Sequence, residues 1–346
     1  MEMKKLGKSD LVVPVWCLGT MTFGNQTPEA EGHAQIDAAL EAGLNFLDTA
    51  EMYPVNPVRA ETVGRTEEII GNWVGKSGRR GDVLIATKIV GPSKLARDER
   101  GITAETLREA VDSSLRRLQT DVIDLYQLHW PQRGSYHFRQ HWGFAPEKQD
   151  QAATRANMEE VMAEMGRIQS AGKVRHFGTS NESAWGMTRW NQLAADTGGP
   201  RMETVQNEYS LLCRMYDTDM AEMSHQEEVS LLSYSPLAAG LLTGKYAGGA
   251  RPEGSRASIN GDLGGRITPR AEAATDAYVA LAAKHGVDPV HMALAWAAER
   301  PFMGSVIFGA TTMPQLQHIL DGMDVTLTDE LREGIAETYK AHPLPY

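Results

Sequence analysis

Eight short apolar segments recur along this chain of 346 residues, and helical patterns separate them. Apolar runs of four to eight residues are typical of strands that are buried on both faces of a sheet. The intervening segments 30–43, 104–118 and 153–172 carry apolar residues at three- and four-residue steps, which indicates amphipathic helices. The predicted strands cover residues 14–19, 44–48, 82–88, 122–129, 174–180, 202–208, 229–234 and 304–309.

Strict alternation of strands and helices predicts a parallel sheet. With eight units and no linker between them, closure into a barrel is favoured over an open doubly wound sheet. Residues 6–15, with Gly-Lys-Ser-Asp as the turn, predict a hairpin before the first barrel strand. We therefore expect an α/β fold with one domain over residues 1–346, a (β/α)8 TIM barrel. An N-terminal β-hairpin closes its floor, and long loops lie at its C-terminal face.

The charge and the cysteines exclude several classes of protein. A net charge of -11 argues against nucleic acid or an anionic membrane as a partner. Cys17 and Cys213 have neither CxxC nor metal-like spacing, which fits a reducing cytoplasm. The first residues lack the apolar core of a signal peptide, and no stretch of about 18 apolar residues is present to span a bilayer. We expect a cytoplasmic protein that binds neither membrane nor nucleic acid.

Four polar residues follow successive predicted strands at their carboxyl ends, where barrels of this type carry their chemistry. They are Asp48, Tyr53, Lys88 and His129. A tyrosine has an ordinary pKa of about 10, which a neighbouring ammonium lowers, and a carboxylate holds that ammonium in place. His129 is a candidate to orient a substrate oxygen. The set is suited to donating a proton to a carbonyl oxygen while a hydride donor acts at the carbon.

Two predicted connections are longer than the usual two to six residues. Residues 131–153 follow His129 directly, and their aromatic side chains favour a substrate wall and a subunit contact about equally. The second connection runs from Pro236 to about Arg270. Within it, residues 243–270 contain five basic and two acidic residues, a net charge of +3 that favours an anionic ligand. The aromatic side chains of the first connection are Tyr136, His137, Phe138, His141, Trp142 and Phe144.

A metal site is a competing interpretation of His137 and His141, which stand four residues apart. Neither an HExxH motif nor an HxH pair on a strand accompanies them, so a surface loop is the favoured interpretation. We therefore predict no metal ligand in this chain.

Motifs along nearly the whole chain resemble the aldo-keto reductase superfamily, with greatest similarity to its bacterial Tas-like branch, which is related to the potassium-channel β-subunits. The resemblance implies a barrel that binds NADP(H) without a Rossmann fold and reduces carbonyl compounds. It also implies that Tyr53 is the general acid, that Lys88 and Asp48 tune it, and that His129 orients the substrate. The motifs are GTMTFG at 19–24, LDTAEMYP at 47–54, IATK at 85–88, DLYQLHWPQR at 124–133, GTSN at 178–181, QNEYSLL at 206–212, YSPLAAGLLTGKY at 234–246 and GATTMPQL at 309–316.

The same resemblance implies a cofactor site. Ser180, Asn181 and Gln206 would hold the nicotinamide carboxamide, and Tyr234 would stack on the ring. Trp130 would join Tyr53 and His129 in binding a small-molecule carbonyl substrate. The aromatic residues indicate that this substrate is bulky or apolar. Further residues that the resemblance assigns to the cofactor are Gly19, Thr20, Met21 and Asp48 near the ring, Ser235, Leu237, Gly240, Lys245 and Arg256 near the pyrophosphate, and Gly309, Thr311, Thr312 and Gln315 at the adenosine end.

One position departs from the family pattern. Ile319 stands where relatives usually place an asparagine near the adenine, and His318 precedes it. The preference for NADP over NAD therefore stays open at this point. Two other functions also stay open: an NADPH-binding regulatory or accessory subunit with little turnover, and a metal-dependent barrel hydrolase.

Overall fold

A computed structural model describes residues 1–346. Two short strands, β1 (Met3–Lys5) and β2 (Val12–Pro14), form an antiparallel pair. Eight further strands run parallel and close into a barrel in chain order, because the last strand pairs with the first. They are β3 (Trp16–Gly19), β4 (Phe46–Asp48), β5 (Leu84–Ile89), β6 (Ile123–Leu128), β7 (Val174–Ser180), β8 (Met202–Glu208), β9 (Ser230–Tyr234) and β10 (Met303–Phe308).

Eleven α-helices lie between and after the strands. At least one lies between each pair of successive barrel strands, and three lie between β9 and β10. None of the helices has the length and apolar character of a membrane span. They are α1 (Glu29–Glu41), α2 (Arg65–Ser77), α3 (Ala104–Leu118), α4 (Gln151–Ser170), α5 (Ala184–Thr197), α6 (Asp219–Glu227), α7 (Arg256–Ile259), α8 (Pro269–Lys284), α9 (Pro289–Ala298), α10 (Met313–Leu320) and α11 (Asp329–Ala341).

The predicted (β/α)8 barrel is confirmed, since all eight expected strands are present to within two residues at each end. The three segments proposed as helices are α1, α3 and α4. Both long connections contain short helical turns, such as the 3-10 turn Pro146–Lys148 in the first and α7 in the second. The first connection is shorter than expected, because Asp150 caps α4 through a side-chain bond from the backbone N–H of Ala153.

The β1–β2 hairpin closes the barrel floor, as predicted. Leu6, Leu11 and Val13 are almost completely buried and belong to one apolar cluster with residues from six barrel strands. Those barrel residues, among them Phe46 and Ala86, point into the barrel. Because side chains two positions apart share a face of a strand, the next inward residues lie nearer the opposite mouth.

Stability measurements on two adjacent valines of β2 test this arrangement. Val13 is completely buried against the barrel interior, whereas Val12 is 46% exposed on the other face of the strand. We expect Val13→Ala to lower the free energy of unfolding by about 2 kcal/mol, from ~0.8 kcal/mol per buried methylene plus a cavity cost. Val12→Ala is the matched control and should change it by less than about 0.5 kcal/mol. Equal losses in urea unfolding would contradict a buried floor.

Candidate active site

Asp48 and Lys88 meet inside the barrel at its carboxyl end. Each stands two residues beyond an inward apolar residue of its strand, Phe46 in β4 and Ala86 in β5, and therefore points into the same space. The Lys88 ammonium donates to both carboxylate oxygens of Asp48 at 2.8 Å and to the carbonyl oxygen of Thr49 at 2.6 Å. All three Lys88 donors are thus satisfied by fixed acceptors.

The environment keeps this lysine charged although its side chain is completely buried. Burial alone would lower the pKa of Lys88, but Asp48 and Tyr53 outweigh burial, and the pKa is raised. Asp48 also accepts a hydrogen bond from Nε2 of Gln206 at 2.8 Å. The Lys88 ammonium is therefore a fixed positive charge, and Asp48 balances it at close range.

Tyr53 lies in the loop after β4, where its backbone N–H donates to the carbonyl oxygen of Ala50. The Lys88 nitrogen is 5.1 Å from the centre of its ring. The pKa of Tyr53 is raised, because burial outweighs the opposing effect of Lys88 and of the more distant Arg256. The expectation that Lys88 brings this pKa below its ordinary value is therefore wrong for the structure as it stands, and the phenol is neutral.

His129 completes the group of four. Its ring lies edge to face with Tyr53, with 5.9 Å between the ring centres, and Trp130 follows at 5.0 Å from His129. Burial and the nearby Lys88 charge hold the pKa of His129 well below its usual range, so the imidazole is neutral. Its Nδ1 has no hydrogen-bond partner in the chain. A neutral imidazole carries one N–H donor, and that donor can bind a substrate oxygen.

A second polar group lies beside these four at the ends of β7, β8 and β9. Asn181 donates to the carbonyl oxygen of His129 at 2.9 Å and accepts from the Tyr234 hydroxyl at 2.7 Å. Ser180 donates to the carbonyl oxygen of Gln206 at 2.8 Å. Since Gln206 also binds Asp48, one hydrogen-bond network joins the expected ring-binding residues to the buried ion pair.

The GTMTFG motif lies against this network. Thr20 donates to the carbonyl oxygen of Asp48 from its hydroxyl at 2.8 Å and from its backbone at 3.0 Å. Gly19 lies beside Gly309, whose Cβ position would be 3.3 Å from the Gly19 carbonyl oxygen. Met21 accepts from the backbone N–H of Val55 at 3.3 Å. The first and last barrel strands thus bring both ends of the predicted cofactor site together.

The connection after β9 turns repeatedly with left-handed backbone. Ser235, Ala238, Ala239 and Gly240 all have positive φ, and Leu237 lies between them. A Cβ on Gly240 would be 3.0 Å from Cε of Lys245, so glycine leaves room for that side chain. The backbone N–H groups of Ala238 and Gly240 donate to the carbonyl oxygens of Ser235 and Leu237, so these turns are fixed by hydrogen bonds within the connection.

Arg256 begins α7 on the same connection. Burial and the nearby Arg266 lower its pKa to about 10, and its buried Nε has no hydrogen-bond partner in the chain. Arg266, in contrast, pairs with Glu208 at 2.7 Å. The +3 excess of residues 243–270 is therefore partly neutralised from outside that segment, and Arg256 is the buried cation without such a partner.

The adenosine end holds an acceptor that the sequence did not reveal. Thr311 donates to Oε1 of Gln315 from its backbone and its hydroxyl, both at 2.9 Å. Thr312 stands at the N-cap position of α10 without a side-chain capping bond. The backbone N–H of Met313 donates to Oε1 of Glu31 at 2.7 Å. A carboxylate thus occupies part of the helix N-terminus that was expected to suit a phosphate.

The long connection 131–150 lies beside the site. Phe138 lies edge-on to Trp130, with 6.0 Å between ring centres, and Trp142 points outward with 71% exposure. The His137 ring nitrogen Nε2 is hydrogen-bonded to the carbonyl oxygen of Glu182. This nitrogen is therefore already engaged and does not pair with His141 as a metal ligand. A cavity of about 200 Å³ lies next to Trp130 and Ser180, but Tyr53 and Lys88 do not line it. This cavity is therefore separate from the Lys88 and Tyr53 side chains.

Two acidic residues were missed in the sequence. Glu51 is buried with Arg97 as its partner, and Glu208 is buried with Arg139 and Arg266. Glu208 had one available signal, because it stands two residues beyond Gln206 at the end of the same predicted strand. Its partners come from distant connections, so spacing along the chain carries no sign of them.

Comparisons with known proteins agree with this architecture. A sequence model described as "Aldo/keto reductase family" matches residues 16–340. The chain is 41% identical to "Protein tas" of Escherichia coli over 100% of this chain and 99% of that protein. It is 31% identical to "Uncharacterized oxidoreductase YrpG" of Bacillus subtilis, covering 96% of this chain and 94% of that protein.

A plant protein is also similar over almost the whole length. The chain is 30% identical to "Probable voltage-gated potassium channel subunit beta" of Arabidopsis thaliana, covering 99% of this chain and 98% of that protein. The expected resemblance is thus found across the barrel, including the strands that carry the four polar residues. This chain belongs to the aldo/keto reductase family.

Proposed function

We propose that this protein reduces an aldehyde or ketone to an alcohol, with NADPH as hydride donor and Tyr53 as proton donor. The observation that carries the proposal is the buried Lys88 ammonium, which Asp48 holds 5.1 Å from the Tyr53 ring centre. Membership of the aldo/keto reductase family supports oxidoreductase chemistry on small carbonyl compounds. In this proposal Asp48, Tyr53, Lys88 and His129 are the catalytic residues.

Tyr53 donates the proton to the carbonyl oxygen. Because its pKa is raised, the hydroxyl is protonated at neutral pH and ready to donate. Negative charge that develops on the substrate oxygen lies in the field of Lys88, whose raised pKa keeps it an ammonium ion. The positive charge of Lys88 also stabilises the Tyr53 phenolate once the proton has left. Asp48 fixes Lys88 for both tasks.

His129 and Trp130 bind the substrate beside Tyr53. The neutral His129 carries one N–H donor for the carbonyl oxygen, and Trp130 offers an apolar surface 5.0 Å from the imidazole. Bound NADPH supplies the hydride that the carbonyl carbon receives. His129 therefore aligns the oxygen with Tyr53 while the adjacent indole limits water.

The nicotinamide end of the cofactor fits the polar group at the ends of β7 to β9. Ser180, Asn181 and Gln206 offer amide and hydroxyl groups for a carboxamide, and Tyr234 offers an aromatic face for the ring. Gly19, Thr20 and Met21 line the neighbouring strand end. The hydrogen bond between Gln206 and Asp48 supports a nicotinamide close to the proton donor.

The phosphate end fits the connection after β9. The buried Nε of Arg256 lacks an acceptor within the chain, and a phosphate oxygen would supply one. The backbone turns at Ser235, Leu237 and Gly240 hold this connection beside Lys245, and the Gly240 N–H donates to Leu237 within the loop. A buried guanidinium donor without a partner in the chain is the chemistry expected of an anion site.

Residues at the adenosine end have opposing effects on the choice between NADP and NAD. Gly309, Thr311, Thr312 and Gln315 fit a ribose or its 2'-phosphate by their position at the start of α10. Glu31 already accepts from that helix N-terminus, and Ile319 offers no polar group to the adenine. We propose NADPH as the preferred cofactor, with Glu31 weakening that preference by its charge.

An accessory or regulatory subunit that binds NADPH with little turnover is the second candidate. The similarity to a plant protein described as a probable potassium-channel β-subunit favours it. The filled and interconnected catalytic set weighs against it, since a binding protein has no need of a buried lysine set against a tyrosine. A cytoplasmic location fits both candidates, because Cys17 and Cys213 are unpaired thiols.

Replacing the proton donor tests the proposal. In Tyr53→Phe we expect kcat for an aldehyde to fall by ~10²-fold or more, because general acid catalysis contributes on that order. NADPH affinity, measured by fluorescence titration, should change less than about threefold. Tyr278→Phe is the matched control, since that buried hydroxyl on α8 also lacks a partner. Unchanged turnover in Tyr53→Phe would refute the role of Tyr53.

A panel of aldehydes, ketones, quinones and sugar carbonyls separates the two candidate functions. The reductase proposal predicts NADPH oxidation with at least one class. Tight NADPH binding without oxidation across the panel would instead support an accessory subunit.

The pH profile follows from the direction of the pKa changes. Reduction needs protonated Tyr53, and this form is lost only as the pH rises through a pKa above about 10. We expect kcat/KM for reduction to be flat between about pH 6 and 9, because His129 is already neutral in this range. Alcohol oxidation needs the phenolate and should rise with pH. A reduction profile that falls through pH 7 would contradict this assignment.

Cofactor choice depends on the charge at Glu31. In Glu31→Gln we expect KM for NADPH to fall by about three- to tenfold, because removing a negative charge near a 2'-phosphate is worth on the order of 1 kcal/mol. KM for NADH should stay within twofold. Steady-state kinetics with NADPH and with NADH measure the two KM values. Glu41→Gln, which lies on the same helix α1, is the control. Equal changes for both cofactors would place the 2'-phosphate elsewhere.

A further inference from the structure

Glu208 is a buried acceptor shared by two long connections. It ends β8, and its carboxylate accepts from Nη1 of Arg139 at 2.8 Å and from Nε of Arg266 at 2.7 Å. The Tyr346 hydroxyl donates to it at 3.2 Å. Burial alone would raise the pKa of Glu208, but Arg266 and Arg139 outweigh burial and lower it. The carboxylate is therefore ionised and holds both arginines.

The two arginines belong to different parts of the barrel mouth. Arg139 lies in the connection 131–150, and Arg266 lies in the connection between β9 and α8. A Cβ on Gly264 would be 3.4 Å from Nη2 of Arg139, and one on Gly265 would be 3.6 Å from its Cδ. The Arg139 side chain thus runs along the second connection, and Glu208 ties both to the end of a barrel strand.

This attachment fixes an unusual stretch of backbone. Phe138 and Arg139 are consecutive residues with left-handed φ angles of 57° and 63°. Bulky residues seldom adopt this region, so the surrounding contacts must hold them there. Arg139 makes its side-chain hydrogen bond to Glu208, while its Nε is buried without a partner. The ion pair therefore anchors this left-handed backbone at the residue next to Phe138.

Phe138 is directed toward the catalytic group. Its ring stands edge-on to Trp130 at 6.0 Å, Trp130 lies 5.0 Å from His129, and His129 lies 5.9 Å from Tyr53. The four rings form a continuous series from the proton donor to the connection 131–150. Phe138 remains 39% exposed, so its ring is accessible to a molecule bound at the mouth.

We propose that Phe138 and Trp130 form one wall of the substrate site, and that Arg139, held by Glu208, is the positioning residue for Phe138. This inference rests on the reductase function proposed above. The substrate class that fits is a carbonyl group attached to a planar aromatic system, because such a group stacks on Trp130 and reaches Phe138 while its oxygen meets Tyr53. A short aliphatic aldehyde occupies Tyr53 and His129 but does not reach Phe138.

Two aldehydes test this wall. We compare 4-nitrobenzaldehyde with propanal in the NADPH-loaded wild type, in Phe138→Ala and in Trp142→Ala. The expected result is a wild-type preference for the aromatic aldehyde, and in Phe138→Ala a rise of about tenfold in its KM with kcat within twofold. Propanal kinetics should be unchanged. Trp142→Ala removes a larger, 71% exposed ring from the same connection and should change neither substrate.

The positioning role has its own variants. Arg139→Met removes one cation but leaves Glu208 paired with Arg266, so the fold keeps a compensated carboxylate. We expect the KM increase of Phe138→Ala for the aromatic aldehyde, no change with propanal, and a melting temperature within a few degrees of wild type. Arg139→Lys restores the charge and should recover at least half of the lost affinity.

The failures are distinguishable. Equal losses for both aldehydes in Phe138→Ala, or an unchanged aromatic KM in Arg139→Met, would overturn the wall and leave the reductase function intact. Loss of stability together with a fall in kcat for both aldehydes would make Arg139 merely structural and would also overturn it. The absence of turnover with any carbonyl would overturn the reductase function and, with it, this inference.

Discussion

The buried ion pair of Lys88 and Asp48 is the interaction on which the rest of this site depends. Placing two charges in the barrel interior costs several kcal/mol per ion, and their attraction compensates only when every remaining donor and acceptor is satisfied. Here Thr49, Gln206 and the two carboxylate oxygens provide that satisfaction. A barrel that closes with the wrong register would leave a bare ammonium inside, so the pair selects for one geometry of β4 and β5.

The same pair explains why the two halves of the site are coupled. Asp48 binds Gln206, Gln206 accepts from Ser180 through its backbone, and Asn181 connects His129 to Tyr234. A shift of any one strand end therefore disturbs both the proposed proton donor and the predicted ring site. This continuity gives the barrel mouth rigidity where reactant atoms must be aligned, while the long connections above it are free to differ among relatives.

Much of this was readable in the sequence because strands of period two bring residues two apart to one face. Lys88 stands two residues after Ala86, and Asp48 stands two residues after Phe46. The inward direction of both side chains could therefore be predicted once the strands were known. The pKa of Tyr53 could not, because it depends on how deeply the ring is buried, and burial is a property of the closed barrel. The contacts of Glu31 in α1 with the N-terminus of α10, and of Glu208 with two connections, could not be predicted for a similar reason. Glu31 binds a residue 282 positions away, and Glu208 binds residues 69 and 58 positions away. No local sequence pattern indicates contacts over such separations.

The hairpin floor has a consequence for the two cysteines. Cys17 lies in the apolar cluster beneath the catalytic layer, and burial raises the pKa of its thiol well above the ordinary value; burial also raises the pKa of Cys213. Neither thiol is ionised, and Cys17 is also completely inaccessible while the barrel is closed, although both are chemically free. The rate of Cys17 alkylation therefore reports how often the barrel opens. It proceeds only as fast as the hairpin floor separates from the strands, independently of changes at the mouth.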